Sequence, residues 1–274
     1  MTSIISSSDI RYTIFKSILN KKFIAAIIAD SEGVLAGVEE AIIMANKIGV
    51  EVLEYKASGG YVTKGENILL LRGNPVEIAV AEDTLIGLIA KPSGIATAAR
   101  KASRYAKEKG VRVVCGAWKK MPIEVKNLFR KAIQIGGIGI RIVDKPFIYL
   151  DKNYVRMFGG IKNALEAIKN IEDRIKVIQI RGEFKDVVSE AIEASRYGAD
   201  IIMVDTGNVE DLKNVHKALI SYNIRKNVML AFGGNVKIND IPIVADAGAD
   251  IIDIGKEIID APLLDLKLEV LKES

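Results

Sequence analysis

The feature that most constrains this chain is a series of short apolar runs, each closed by Asp or Gly. Ile201-Ile202-Met203-Val204-Asp205 is one, Ile251-Ile252-Asp253-Ile254-Gly255 is another, and Phe232-Gly233-Gly234-Asn235 ends the run between them. The runs are rich in β-branched residues and are separated by stretches long enough for one helix each. A strand buried on both faces reads as a continuous apolar run, and βα repeats of such strands build a parallel α/β barrel. A Gly-Gly after a late strand frees backbone N–H groups at the start of a helix, where the helix dipole also favours an anion. The pattern therefore predicts a barrel that holds a phosphorylated ligand at the C-terminal ends of its strands, with Gly233, Gly234, Asn235 and Gly255 as the cradle.

The barrel pattern does not run the whole length. From residue 111 onward, strands are expected at 111–115, 138–143, 177–180, 201–204, 228–231 and 251–254, with helices at 123–134, 161–169 and 187–197. Six strands are fewer than the eight of a full barrel, so an incomplete TIM-like barrel is expected. The first third reads differently. Strands at 23–29, 50–55 and 68–71, a helix at 38–47 and the turn signals Gly59-Gly60 and Lys64-Gly65 predict a smaller α+β layer with antiparallel pairing. A long helical stretch begins near Pro75 and is expected to be interrupted near Pro92-Ser93-Gly94. These boundaries predict an α+β domain over 1–108 and a barrel domain over 109–274. The last stretch, 263–271, is expected to be an amphipathic helix packing back on the first domain.

Composition limits the function classes. Apolar residues make up 49% of the 274, enough for a substantial core, and no run is long enough for a membrane span. The net charge of +4 suits a small anionic ligand; without a basic block carrying interleaved aromatics, nucleic acid is not an expected partner. The single cysteine, Cys115, excludes a disulfide framework within the chain and fits a reducing cytoplasm. It follows Val113-Val114 and reads as a buried strand residue. The only histidine, His216, lies in a helical pattern with a charged face and reads as solvent-facing. One histidine also rules out a His-rich metal site and argues against a Ser-His-Asp triad. The start, Met1-Thr2-Ser3-Ile4-Ile5, lacks the basic segment of a signal peptide. The Ile/Lys/Glu bias hints at a thermophile.

Several segments carry a resemblance. Asp30-Ser31-Glu32-Gly33-Val34-Leu35-Ala36-Gly37, Val62-Thr63-Lys64-Gly65-Glu66, Leu71-Arg72-Gly73 and Ser93-Gly94-Ile95-Ala96-Thr97 come first. Lys119 with Pro122, Gly136-Gly137 with Arg141, Asp205 and Gly233-Gly234 follow. Nearly end to end, the chain resembles the nicotinate-nucleotide pyrophosphorylases, or quinolinate phosphoribosyltransferases. The resemblance implies a pentosyltransferase of pyridine nucleotide and NAD biosynthesis. Such an enzyme joins the phosphoribosyl group of phosphoribosyl pyrophosphate to the ring nitrogen of a pyridine carboxylic acid. Mg²⁺ assists, no organic cofactor is used, and with quinolinate a carboxylate leaves as CO₂. It also implies a homodimer or higher homo-oligomer in which the first domain of one chain covers the barrel mouth of another. Departure of pyrophosphate builds positive charge on the ribose and negative charge on the leaving group, which Lys, Arg and Mg²⁺ offset. On that chemistry Lys119 and Arg141 are candidate anion contacts, Lys120 and Lys152 candidate substrate contacts, and Asp205 a candidate metal or ribose-hydroxyl ligand.

The departures from the family pattern cluster on the acceptor side. Glu82-Asp83 stands where the family has Glu-Arg, Trp118 for the Arg of Thr-Arg-Lys, Ile140 for a His, and Asp151-Lys152-Asn153-Tyr154 for Lys-Asp-Asn-His. Gln179 and Ala231 each replace a Glu. Losing bidentate arginines costs about 1.5–3 kcal/mol per charged hydrogen bond; Lys120, Lys152 and Arg181 are candidates to restore some of that charge. Two alternatives to a quinolinate enzyme follow. One is a relative with another acceptor, of the molybdenum-associated paralogue type; the other is a catalytically silent homologue that binds a phosphorylated ligand or partner.

Overall fold

The alternation of hydrophobic periods sets the elements of this computed structural model, which describes residues 5–274. The opening residues 1–4, where the signal-peptide reading begins, lie outside the described residues. In chain order the strands are β1 (Phe23–Ala29), β2 (Gly33–Val34), β3 (Glu51–Tyr55), β4 (Tyr61–Val62), β5 (Asn67–Gly73), β6 (Arg112–Val114), β7 (Phe147–Leu150), β8 (Ile175–Ile180), β9 (Ile201–Val204), β10 (Met229–Phe232), β11 (Ile251–Asp253) and β12 (Leu266–Glu273). The α-helices are α1 (Arg11–Ile14), α2 (Val38–Ile48), α3 (Pro75–Lys109), α4 (Ile123–Gly136), α5 (Lys152–Phe158), α6 (Ile161–Glu166), α7 (Val187–Arg196), α8 (Val209–Ser221), α9 (Ile241–Asp246) and α10 (Lys256–Ile259).

The chain divides into two compact units. The first gathers Met1–Arg100, Pro122–Gly137 and Asp260–Ser274; the second holds Lys101–Met121 and Ile138–Ile259. The division passes through α3 and draws α4 and the C-terminal stretch into the first unit, which a single cut after residue 108 does not do.

The first unit is built on an antiparallel sheet in the order β12-β1-β5-β3. Its C-terminal member corrects the expected helix at 263–271. Leu266-Lys267-Leu268-Glu269-Val270 alternates with period two, and the edge of β1 offers an unpaired ladder, so Ala29 to Phe23 pairs with Leu266 to Glu273. The expected interruption near Pro92 is also absent, since α3 runs unbroken through it. Proline removes the N–H that would bond the carbonyl four residues earlier, Leu88. That carbonyl faces Gly37, where a Cβ would lie 2.0 Å from its oxygen. Ser93 fastens the same loop, accepting the Ala36 N–H at 2.9 Å, and Thr97 Oγ1 accepts the Val34 N–H at 2.9 Å. The Ser93–Thr97 motif is thus a packing device of this unit.

The second unit is a curled sheet of six parallel strands in the order β6-β11-β10-β9-β8-β7, as the apolar runs predicted. Val114, Val177, Ile201, Met203, Ala231 and Ile251 fill its interior. One expected strand is misplaced. Residues 138–143 contribute a single bridge, Gly139 to Val114, and then turn. The missing strand is Phe147–Leu150, paired with β8. Pro146 before it hid a β-prone aromatic run, and Gly137 and Gly139 weaken the earlier one. Among the described residues, no helix is long and apolar enough to cross a membrane.

Candidate active site

The C-terminal ends of the six parallel strands converge on a charged rim. The sheet ladder continues one residue past β9, β10 and β11 and fixes that rim. The Asp205 N–H donates to Ile180 O at 3.1 Å, the Gly233 N–H to Val204 O at 3.1 Å, and the Ile254 N–H to Val114 O at 2.9 Å. Because inward positions alternate, Asp205, Gly233 and Asp253 follow the interior residues Met203, Ala231 and Ile251 on the inner face. A Cβ at Gly233 would lie 2.5 Å from Met203 Cε and 3.4 Å from Asp205 Oδ1, so the missing side chain is what lets the two acids approach.

Asp253 is the acid that the sequence reading passed over. Burial raises its pKa and the nearby charge of Asp205 raises it further, against the Gly116 N–H, which donates at 3.1 Å, and the positive charges of Lys119 and Lys120. Tyr149 faces the same cluster. Burial, then the charges of Asp253, Asp205 and Asp151, push its phenol up, so it stays a donor. Lys119 Nζ sits 6.0 Å from the centre of the Tyr149 ring. Lys119 and Lys120 occupy a 3₁₀ turn, Ala117–Lys120, directly after β6. Period-two register beyond the last apolar residue would have flagged Asp253; nothing local marks Tyr149.

Gln179 ties three strand ends together. Its Oε1 accepts the Lys152 N–H at 2.7 Å and its Nε2 donates to Asp205 Oδ2. A glutamate here would put a third acid beside Asp205; the amide instead donates to it. Asp151 caps α5 by accepting the Asn153 N–H at 2.8 Å and the Tyr154 N–H at 3.2 Å, which sets Lys152 at the first helical position. Arg181 Nη1 is 3.5 Å from Asp205 Oδ2.

The expected cradle is refined. Gly233 spends its N–H on the ladder, so its contribution is the absent side chain. Gly234, at φ +103°, packs against the loop after β9, where a Cβ would meet the Gly207 N at 2.5 Å. The Gly207 N–H in turn donates to Gly233 O at 3.1 Å. The N–H groups of Gly234 and Asn235 have no hydrogen-bond partner among the described residues. Asn235 adopts a left-handed φ of 64°, which asparagine tolerates better than most residues. Gly255 lies beside this loop's neighbour, with Cys115 Sγ 3.7 Å from its carbonyl. Burial pushes the Cys115 thiol up to about 12, so it is buried and unreactive as Val113-Val114 before it predicted, although it lies one residue past the end of β6.

Two expectations shift. Arg141 does not join the rim cluster. It is exposed in the turn after Gly139, and its charge acts on Asp144, which Arg112 holds below the usual carboxylate range. Trp118 is turned toward that segment, donating Nε1–H to Ile140 O at 3.0 Å. His216 is half-buried instead of solvent-facing, because its Nδ1 accepts Arg225 Nε–H at 3.1 Å and its ring covers Gly248.

The donors suit a hard cation. Asp205 and Asp253 supply carboxylate oxygens, and no group of three or more His, Cys, Asp or Glu residues is placed to cage a metal among the described residues. Mg²⁺ is ordinarily held by one or two carboxylates together with substrate phosphates, and these residues fit that mode.

Comparison with known proteins places this architecture. The N-terminal domain model of quinolinate phosphoribosyl transferase matches residues 9–93 and the C-terminal domain model residues 95–269. The chain is 29% identical over 254 residues to the probable nicotinate-nucleotide pyrophosphorylase [carboxylating] of Methanothermobacter thermautotrophicus, covering 91% of this chain and 88% of that protein. It is 28% identical over 249 residues to the one of Archaeoglobus fulgidus, covering 90% and 94%. Among solved structures, the nicotinate-nucleotide pyrophosphorylase of Pyrococcus furiosus superposes with a TM-score of 0.81 at 21% identity, over 98% of this chain and 75% of that one. The Francisella tularensis enzyme gives 0.78 at 23%, over 98% and 92%. With both domain models matched in order along its length, the chain belongs to the quinolinate phosphoribosyl transferase family.

Proposed function

We propose that the protein transfers the phosphoribosyl group of phosphoribosyl pyrophosphate to the ring nitrogen of a pyridine carboxylic acid, in the formation of nicotinate mononucleotide for NAD biosynthesis. The observation that carries this is the rim of the second unit. There two acids, two lysines and a loop with open N–H groups stand at the ends of adjacent parallel strands in a chain of this family. The 5′-phosphate takes the N–H groups of Gly234 and Asn235. Lys119 and Lys120 face the pyrophosphate, whose charge grows as the C1′–O bond breaks and the leaving group takes the electron pair. Asp205, with Asp253 beside it, holds Mg²⁺, which supplies Lewis-acid neutralisation of the pyrophosphate. The acceptor nitrogen then bonds to C1′. With quinolinate, the adjacent carboxylate is lost as CO₂ and the ring carbon takes a proton.

The acceptor pocket is altered relative to the family pattern. Trp118 is committed to Ile140 O and Gln179 to Asp205 and Lys152, so two positions that carry charge in the family carry none here. This supports a pyridine acid other than quinolinate as the preferred acceptor. A homodimer or higher homo-oligomer is supported by family resemblance, and a cytoplasmic location by the lone buried Cys115. The test is an assay of quinolinate and nicotinate, each with phosphoribosyl pyrophosphate and Mg²⁺. Pyrophosphate release that depends on an acceptor is expected, with quinolinate turned over more slowly than about 1 s⁻¹. No pyrophosphate release with any pyridine acid would overturn the transferase reading.

A further inference from the structure

Arg181 is the first residue of the loop that leaves β8, and that loop is held by an unusual anchor. Glu190 of α7 is buried, at 1% exposure. It accepts the Arg181 N–H at 3.0 Å and the Gly182 N–H at 2.8 Å with Oε2, and the Phe184 N–H at 2.9 Å with Oε1. Burying a carboxylate is costly unless donors surround it, and here three backbone donors from one short loop do so. The loop's first side chain is thereby presented at a fixed place.

The cation so presented is only loosely engaged. Arg181 Nε is 3.6 Å from Glu183 Oε1 and its Nη1 is 3.5 Å from Asp205 Oδ2. Glu183 is instead committed to Arg156, which grips both of its oxygens at 2.7 and 2.8 Å. Asp205 is already hydrogen-bonded by Gln179. Arg181, Lys152 and Gln179 line one small, solvent-open cleft at the end of β8. Its neutral amide is satisfied on both sides and its acids, Glu183 and Glu190, are both occupied, so Arg181 keeps only its two long ion pairs, at 3.6 and 3.5 Å, and Lys152 has none among the described residues.

We propose that Arg181 is the residue that reads the acceptor, taking a carboxylate of a pyridine acid at the mouth of this cleft with Lys152 beside it, and that Glu190 is its positioning residue. This rests on the phosphoribosyl-transfer reading. A planar guanidinium suits a carboxylate bidentately, and a neutral Gln179 leaves that charge uncancelled where a glutamate would compete for it.

The experiment is calorimetry of the full chain with quinolinate and with nicotinate as carboxylate probes and, separately, ribose 5-phosphate. Arg181→Ala is expected to weaken binding of the pyridine acid about tenfold or more and to leave ribose 5-phosphate within about twofold. Arg181→Lys should fall between, since it keeps charge without the fork. Glu190→Gln should weaken binding of the pyridine acid alone, and combining it with Arg181→Ala should add no further loss, a non-additivity that a purely structural glutamate would not show. Binding of the pyridine acid within twofold of wild type in Arg181→Ala overturns the proposal, as does a wild-type protein that binds ribose 5-phosphate but neither quinolinate nor nicotinate. A wild-type protein that binds none of the three overturns the transferase reading beneath it.

Discussion

The two ends of the parallel sheet both carry charged groups and use them in opposite ways. At the N-terminal end Asp200, Asp250, Arg225 and Arg112 close on the fold. Asp200 accepts the Lys176 N–H at 2.7 Å, and Asp250 accepts both the Leu230 N–H at 2.7 Å and Arg225 Nη2 at 2.9 Å. Arg225 also donates to Val228 O, Gly248 O and His216, and Arg112 takes Asp144 bidentately. At the C-terminal end two acids are brought together instead of being kept apart, lysines have no close partner, and backbone donors stay open. Like charges held together lower stability, so the fold tolerates at one end what it neutralises at the other. The difference separates a structural staple from a binding site without reference to any relative, and it agrees with the general placement of barrel sites at strand C-termini.

Substitutions at the two ends should therefore fail differently. The largest effect is expected from Asp205→Asn, which keeps the shape and removes a charge from the rim. Turnover should fall by about 100-fold or more while the melting temperature holds or rises; a lower melting temperature with near-normal turnover would erase the distinction. Asp250→Asn is the mirror experiment. It leaves an acceptor for Leu230 but strips the counter-charge from Arg225, so it should cost about 1–3 kcal/mol of stability with activity kept in the folded protein. Denaturant melts paired with a turnover assay check both.

The smallest effect should come from pH at the N-terminal end. Burial, then the neighbouring Arg225 charge, lower the His216 pKa from its ordinary 6.5, with Asp250 opposing. A histidine lowered on folding contributes stability that is present above the unfolded value and lost as pH falls through 6.5 toward the folded one. A melting temperature lower at about pH 5.5 than at about pH 7.5 is expected. His216→Gln, which still offers Arg225 an acceptor, should flatten that dependence; an unchanged slope would assign it to other groups.

How much of this was legible in sequence follows from what each residue answers to. Buried parallel strands are dictated by their own composition, so β8 to β11 were plain in runs such as Ile201–Val204. Asp205 and Gly233-Gly234 were marked by their place at the ends of those runs. Elements that depend on a partner were not plain. Leu266–Glu273 is a strand because β1 lies beside it, and Phe147–Leu150 is a strand because β8 does. Asp253 was visible as a letter, but its importance comes from Asp205 and Lys119 across the rim, groups 48 and 134 residues away by the chain numbering. Arg141 was named from a motif, and the turn after Gly139 carries it elsewhere. Glu190 was invisible, since its three donors come from a loop whose shape no local pattern specifies.

The most direct test of the rim as a phosphate site bears on the open N–H groups. Gly234→Val is unsuitable, because a side chain there strikes the Gly207 backbone and would disturb the fold. Asn235→Asp keeps size and tolerates the left-handed φ of 64°, yet sets a negative charge among the donors. Calorimetric titration of wild type and Asn235→Asp with ribose 5-phosphate is the measurement. Binding by wild type and a loss of about tenfold or more in the variant, with both proteins equally folded, is the expected result. Equal binding by the two, or none by wild type, would contradict the placement of the phosphate at this rim.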